Sequence, residues 1–177
     1  ERDEEKRLIY ENEHMVVLGD YGHEALVRYT EELIDSAERM MRAEIARIPD
    51  GVYRGRAVAY HDGFDADAEM PVCVYATVAG DEVTFDYAGS APQSQGYVNS
   101  PLAATLSSTM LSLLMCIDVR TMPNNAGRLR PIRILVPEGS LLHPRFPAAT
   151  GYGNHLADQI SAAIFQALAP ALPERVT

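Results

Sequence analysis

Val72-Cys73-Val74-Tyr75-Ala76-Thr77-Val78 runs through Ala79 into Gly80-Asp81 and out again as Glu82-Val83-Thr84-Phe85-Asp86-Tyr87, and this stretch decides the fold class. The first run alternates with the period of two that places successive side chains on opposite faces of a strand. Gly80-Asp81 is a tight-turn dipeptide, so the second run is expected to pair back as a hairpin. Upstream, Val52–Tyr60 reads as another strand, entered through the turn Pro49-Asp50-Gly51. Between it and Val72 lies the densest acidic cluster of the chain, His61-Asp62-Gly63-Phe64-Asp65-Ala66-Asp67-Ala68-Glu69. A calcium loop opening at Asp65 needs glycine at its sixth position. Met70 stands there, so a solvated hairpin loop is the expectation.

Further upstream the period changes. From about Asp20, Leu26, Leu33, Ile34, Ala37, Met41, Ile45 and Ile48 recur at three- and four-residue spacing, one apolar stripe on a helix that Pro49 stops. Downstream, a Gly, Ser, Pro and Gln-rich loop over 88–100 leads to Pro101, which opens an apolar helix reaching about Ile117, with Asn99 or Ser100 as cap. A turn-rich stretch, a strand at Ile132–Val136, the turn Pro137-Glu138-Gly139, an irregular segment over 144–154 and a last helix from about His155 to Leu168 complete the chain. Helices and strands mix without strict alternation, so the predicted class is α+β with a mainly antiparallel sheet. Residues 1–19 read as a charged lead-in and 20–177 as a single domain.

Composition narrows the function. The formal charge of -10 repels phosphate backbones, which argues against nucleic acid as a partner. Lys6 is the only lysine among fifteen basic residues and sits in the charged run at the N-terminus, so the body of the chain has neither a Schiff-base lysine nor a phosphate-loop lysine. No apolar run reaches the roughly 18 residues of a membrane span. Cys73 and Cys116 lie in apolar strand-like and helix-like contexts and are expected to be buried free thiols suited to a reducing cytoplasm.

The sequence contains no His-Glu-x-x-His, Cys-x-x-Cys, phosphate loop or nucleophile elbow. None of the five histidines has a second histidine or cysteine at ligand spacing, so no metal site is assigned. Two places remain. The loop Gly89–Gly96 precedes a helix start, where free amides favour anions; a plain linker is the other reading. Near the C-terminus, Gly151 and Gly153 permit close backbone approach to a substrate and Asn154 can cap the following helix. His155 and Asp158, three residues apart, would share one face of that helix, the aspartate orienting the imidazole for proton transfer. Gly151, Gly153 and Asn154 are the substrate-binding candidates, and His155 and Asp158 the catalytic ones.

A series of ordered blocks resembles the hydantoinase B/oxoprolinase family. These are Asp86-Tyr87-Ala88-Gly89-Ser90-Ala91-Pro92-Gln93, Gly96-Tyr97-Val98-Asn99-Ser100-Pro101-Leu102-Ala103, Asn125-Ala126-Gly127 and Arg130-Pro131-Ile132. They continue with Val136-Pro137-Glu138-Gly139-Ser140-Leu141-Leu142, Pro147-Ala148-Ala149, Gly153-Asn154 and Ala171-Leu172-Pro173-Glu174-Arg175-Val176. Asp50-Gly51-Val52-Tyr53 fits the family's strand entry. The resemblance implies a central-to-C-terminal fragment of a larger subunit, inactive alone, which works beside a hydantoinase A-like nucleotide-binding subunit. The reaction it implies is ATP-dependent opening of a cyclic amide, of the N-methylhydantoinase or 5-oxoprolinase type. The alternatives are an alpha-type subunit of an acetone or acetophenone carboxylase, or a non-catalytic scaffold that docks a partner and the remainder of its own subunit. ATP and a divalent metal are implied for the full complex and no cofactor for this piece, since the family's metal ligands lie toward the N-terminus. Gly151-Tyr152-Gly153-Asn154-His155 departs from the family's Gly-Gly-Asn followed by a small or acidic residue, which bears on substrate choice.

Overall fold

The computed structural model describes the backbone of residues 14–151 and 155–176, with side chains from residue 22 onward. Helix α1 spans His14–Ile45. Helical backbone therefore begins within the predicted lead-in, ahead of Asp20, and the true discontinuity is Gly22. Its φ of 79° and ψ of 167° join two helical segments across a kink that a residue with a Cβ would resist. The apolar stripe is used unevenly. Ala37, Met41, Ile45 and Ile48 are buried, whereas Leu33 on the same stripe stays exposed.

The sheet has four strands in the order β1 (Gly51–Tyr60), β2 (Glu69–Ala79), β3 (Glu82–Asp86) and β4 (Ile132–Leu135). The hairpin read from sequence is present, with Ala79 opposite Glu82 and Gly80 at a φ of 62°, the glycine position of a two-residue loop. β4 pairs with β3 in parallel, Val83 opposite Ile132, which requires the long connection through the helix Leu102–Cys116 and the 3-10 turn Ala126–Leu129. Strand parity sorts the core: Met70, Val72, Val74, Ala76 and Val78 of β2 are buried together with Val83 and Phe85 of β3. The same parity explains Cys73. It faces the other way and is half-buried, so only Cys116 meets the expectation of a buried thiol. Desolvation pushes the Cys116 thiol up to about 11.

Helix α2 (Leu102–Cys116) packs on helix α3 (Ala157–Leu168), which lies across β1 and β2. The core face of β1 is built from small residues, Gly55, Ala57 and Ala59, opposite Val74, Val72 and Met70. A Cβ on Gly55 would stand 1.8 Å from the carbonyl oxygen of Ala163, so α3 occupies the space a side chain would need. At the free edge of β1 the Arg56 amide donates to Gln166 Oε1 of α3 at 2.6 Å.

The predicted cap of α2 differs. Pro101 holds the cap position with no side-chain cap bond, because Asn99 and Ser100 are engaged elsewhere. Thr105 Oγ1 donates to the Leu142 carbonyl at 2.8 Å and sits 3.0 Å from Ser100 Oγ. Thr109 Oγ1 donates to the Thr105 carbonyl, which leaves the Tyr87 hydroxyl as donor to Thr109 at 2.6 Å. This buried chain of hydroxyls ties the end of β3 to α2 without leaving its polar atoms unpaired.

Gly55→Ala is expected to lower unfolding stability by about 3 kcal/mol or more, since the methyl displaces backbone. Gly80→Ala, whose Cβ meets nothing within 4 Å, is expected to cost only the strain of its positive φ, about 1 kcal/mol. Urea unfolding of both variants checks the contrast; equal losses would refute the close-approach reading.

Candidate functional site

Three loops meet at one corner, and Tyr97 is where they touch. The first joins β1 to β2 and carries Asp62 and Gly63; the second is the segment 88–100; the third contributes Ala149, Thr150 and Gly151, and the turn before the last helix contributes His155. A Cβ on Gly63 would lie 2.5 Å from Tyr97 Cε1, one on Gly151 3.0 Å from Tyr97 Cβ, and one on Gly96 1.6 Å from the Asp62 carbonyl oxygen. Backbone therefore packs directly on the ring and on neighbouring backbone at all three places. The His155 ring meets Tyr97 edge-on, with centroids 6.1 Å apart and planes at 72°.

Asn99 holds the corner together. Its side chain is fully buried and accepts from the Ser94 amide at 2.8 Å. Its Nδ2 lies 3.0 Å from the carbonyls of Ser94 and Gly96 and 2.9 Å from that of Ala149, so one amide group joins the second loop to the third. Asp62 joins the first loop to the second. Its Oδ1 accepts from the amides of Phe64 and Asp65, each at 2.8 Å, and its Oδ2 accepts from Ser94 Oγ at 2.8 Å. The amides of Asp65 and Phe64, then the Ser94 hydroxyl, favour the ionised form and hold this carboxyl below its ordinary range.

Within 89–96, five amides are engaged inside the protein and are not open to an anion. The amides of Ser90, Ala91, Gln93, Ser94 and Gly96 bond to Tyr87 O, Pro71 O, Gly139 O, Asn99 Oδ1 and Ser94 Oγ respectively.

The structure separates the predicted catalytic pair. Helix α3 starts at Ala157 with Leu156 at its cap position, so His155 lies in the preceding turn and shares no helix face with Asp158. Both are exposed, and among the described residues no hydrogen bond or ion pair joins them. Asp158 sits in the first turn of α3, where a carboxylate favours the positive end of the helix dipole. Gly151 is half-buried against Tyr97. Gly153 and Asn154 lie outside the described residues, and the cap expected of Asn154 belongs positionally to Leu156. The sequence reading missed Tyr97, Asn99, Asp62 and Ser94 as site-building residues. A buried asparagine among glycines is the one local signal, and its partner Ala149 is remote in sequence. Among the described residues no group of three or more His, Cys, Asp or Glu is arranged to hold a metal ion.

The hydantoinase B/oxoprolinase family matches this chain over residues 9–177. The chain belongs to that family. A protein named as the B-type component of a D-/L-hydantoinase in Pseudomonas sp. (strain NS671) is 33% identical, over 93% of this chain and 29% of its own length. The crystal structure of ATP-dependent caprolactamase from Pseudomonas jessenii superposes with a TM-score of 0.82 at 29% identity, over 91% of this chain and 28% of that one. The nucleotide-free structure of acetone carboxylase shares the fold, with a TM-score of 0.76 at 18% identity, over 92% of this chain and 24% of that one. This hydantoinase B-family chain thus spans less than a third of the length of these proteins.

Asn99→Ala removes the acceptor of one amide and the donor of three carbonyls in a closed space. The expected loss is about 3 kcal/mol, read by thermal or urea unfolding. Asp62→Asn gives a second expectation with a definite sign. A folded-state pKa below the unfolded value of about 3.9 contributes stability that is present above that value and lost as pH falls through the folded pKa. Wild type is therefore expected to exceed Asp62→Asn by a constant margin near neutrality, and the margin to close in acid. A margin that widens in acid would contradict the assignment.

Proposed function

We propose that this chain forms part of a B-type subunit of an ATP-dependent enzyme that opens a cyclic amide. The observation that carries the reading is its 33% identity, across nearly its whole length, to the B-type component of a hydantoinase. Support also comes from the fold shared with a caprolactamase at 29% identity. A hydantoin and a caprolactam have in common a ring amide carbonyl, whose resonance makes it a poor electrophile. Transfer of the ATP γ-phosphoryl group to that oxygen, with ADP leaving, activates the carbon. Water adds to it, the ring C–N bond breaks as the nitrogen takes a proton, and hydrolysis of the resulting acyl phosphate releases inorganic phosphate and the ring-opened acid. ATP belongs on this reading to a hydantoinase A-like nucleotide-binding subunit, and the divalent metal to parts of the B-type subunit other than these residues. The chain's own share is the corner at Tyr97, with Gly151 and His155 toward substrate and Asp158 at the adjoining helix start; Gly153 and Asn154, outside the described residues, are kept as substrate-binding candidates from the sequence. Among the described residues no helix is long and apolar enough to cross a membrane. We place the assembly in the cytoplasm, where ATP is supplied and the thiols of Cys73 and Cys116 stay reduced.

The test is to co-express the whole B-type subunit with the nucleotide-binding subunit and to measure ATP turnover with hydantoins, 5-oxoproline and caprolactam. Amide-stimulated ADP release with stoichiometric ring-opened acid is expected. Bicarbonate-dependent consumption of acetone or acetophenone without ring opening would transfer the chain to the ketone carboxylases. The 177-residue chain by itself is expected to hydrolyse neither ATP nor hydantoins. Turnover by the purified chain, lost on changing one of its own residues, would refute that division of labour.

A further inference from the structure

Residues 102–117, which include all of α2, contain no charged side chain. A helix that is uncharged and largely apolar all round is normally buried on most of its faces. Here one side packs on α3 and the core through Thr109, Ser112, Leu113 and Cys116, while the other faces outward. The exposed positions Ala103, Ser107, Leu111 and Met115 form a strict four-residue row, with Leu111 60% and Met115 62% exposed. Beside it runs the half-buried row containing Leu106 and Met110. Two adjacent rows of this spacing leave between them the groove that receives a side-chain ridge of another helix, and Ala103 and Ser107 are small enough to let its backbone approach.

We infer that the outer face of α2 is a docking surface for a helix from the remainder of the B-type subunit polypeptide. This rests on the reading that the chain is part of such a subunit. The occupant follows from two observations. The face lacks charge, and permanent contacts resemble a core cut in half, whereas surfaces that meet and part carry polar rims. The matched region is also only 28–29% of the length of its relatives, so most of a family-length chain lies outside these residues and abuts them somewhere. A lipid surface is a poor occupant, because α2 offers no Lys or Arg to flank its apolar face and the chain carries a charge of -10.

Thiol and methionine footprinting of the full-length B-type subunit, purified without its partner, tests the inference. Ser107→Cys is expected to react with a maleimide at least about tenfold more slowly than Ala66→Cys in the exposed β1–β2 loop, independently of protein concentration. In the unsubstituted subunit, Met115 is expected to be oxidised by peroxide as slowly as the buried Met41, which requires no substitution to be tolerated. Reaction of Ser107→Cys or Met115 at the rate of an exposed residue would overturn the inference. If protection then appeared on adding the nucleotide-binding subunit, the face would belong to that interface. Protection lost on dilution would overturn it in favour of a second copy. Because footprinting needs no turnover, an unprotected α2 in an active hydrolase sinks the docking face alone, and a protected α2 in a ketone carboxylase sinks only the proposed activity.

Discussion

The distance between α3 and β1 sets the rest of the domain. Gly55 has no side chain, and the backbone of Ala163 stands where one would begin. That approach is possible because the core face of β1 continues through Ala57 and Ala59, while the bulk is supplied by β2 and β3. With α3 seated against the sheet, Leu156, Ile160, Ile164 and Leu168 become fully buried, and α2 finds a floor to pack on. Close packing of this kind tolerates little adjustment, because no void remains into which a new methyl group can move. The helix starts at Ala157, and the turn before it brings His155 against Tyr97.

Around Tyr97 the logic changes from apolar packing to shared hydrogen bonds. Asn99 and Asp62 each bond to more than one segment, so neither loop order nor loop spacing can vary freely. The amides of Phe64, Asp65 and Ser94 are held by side chains of the corner itself, which suits a rigid platform.

Much of the architecture was legible because it depends on local periodicity. The alternation over Val72–Val78 and the Gly80-Asp81 turn specify the hairpin without help from distant residues. The apolar spacing in α1 likewise announces a helix, although it does not say that Leu33 stays exposed. The Tyr97 corner was not legible in the same way. Its contacts join residues near 62, 97 and 150, and nothing in one stretch states the identity of its partner in another. His155 illustrates the cost. Three-residue spacing suggested a shared helix face with Asp158, but the helix begins two positions later than that geometry needs. The ordered blocks of family resemblance carried the functional reading, and the family match over 9–177 supports them.

The two edges of the sheet are treated differently. At β1, the Gln166 side chain takes the outward amide of Arg56, so an invading strand meets a side chain already in its place. Among the described residues no side chain guards β4 in this way; it has only four residues and joins β3 in parallel after a long detour through α2. Its ladder gains little until that detour is closed, which makes it the natural last arrival during folding and the first part of the sheet to open. Amide exchange along the sheet should therefore be graded, slow in the β1–β3 meander and fastest at Ile132–Leu135.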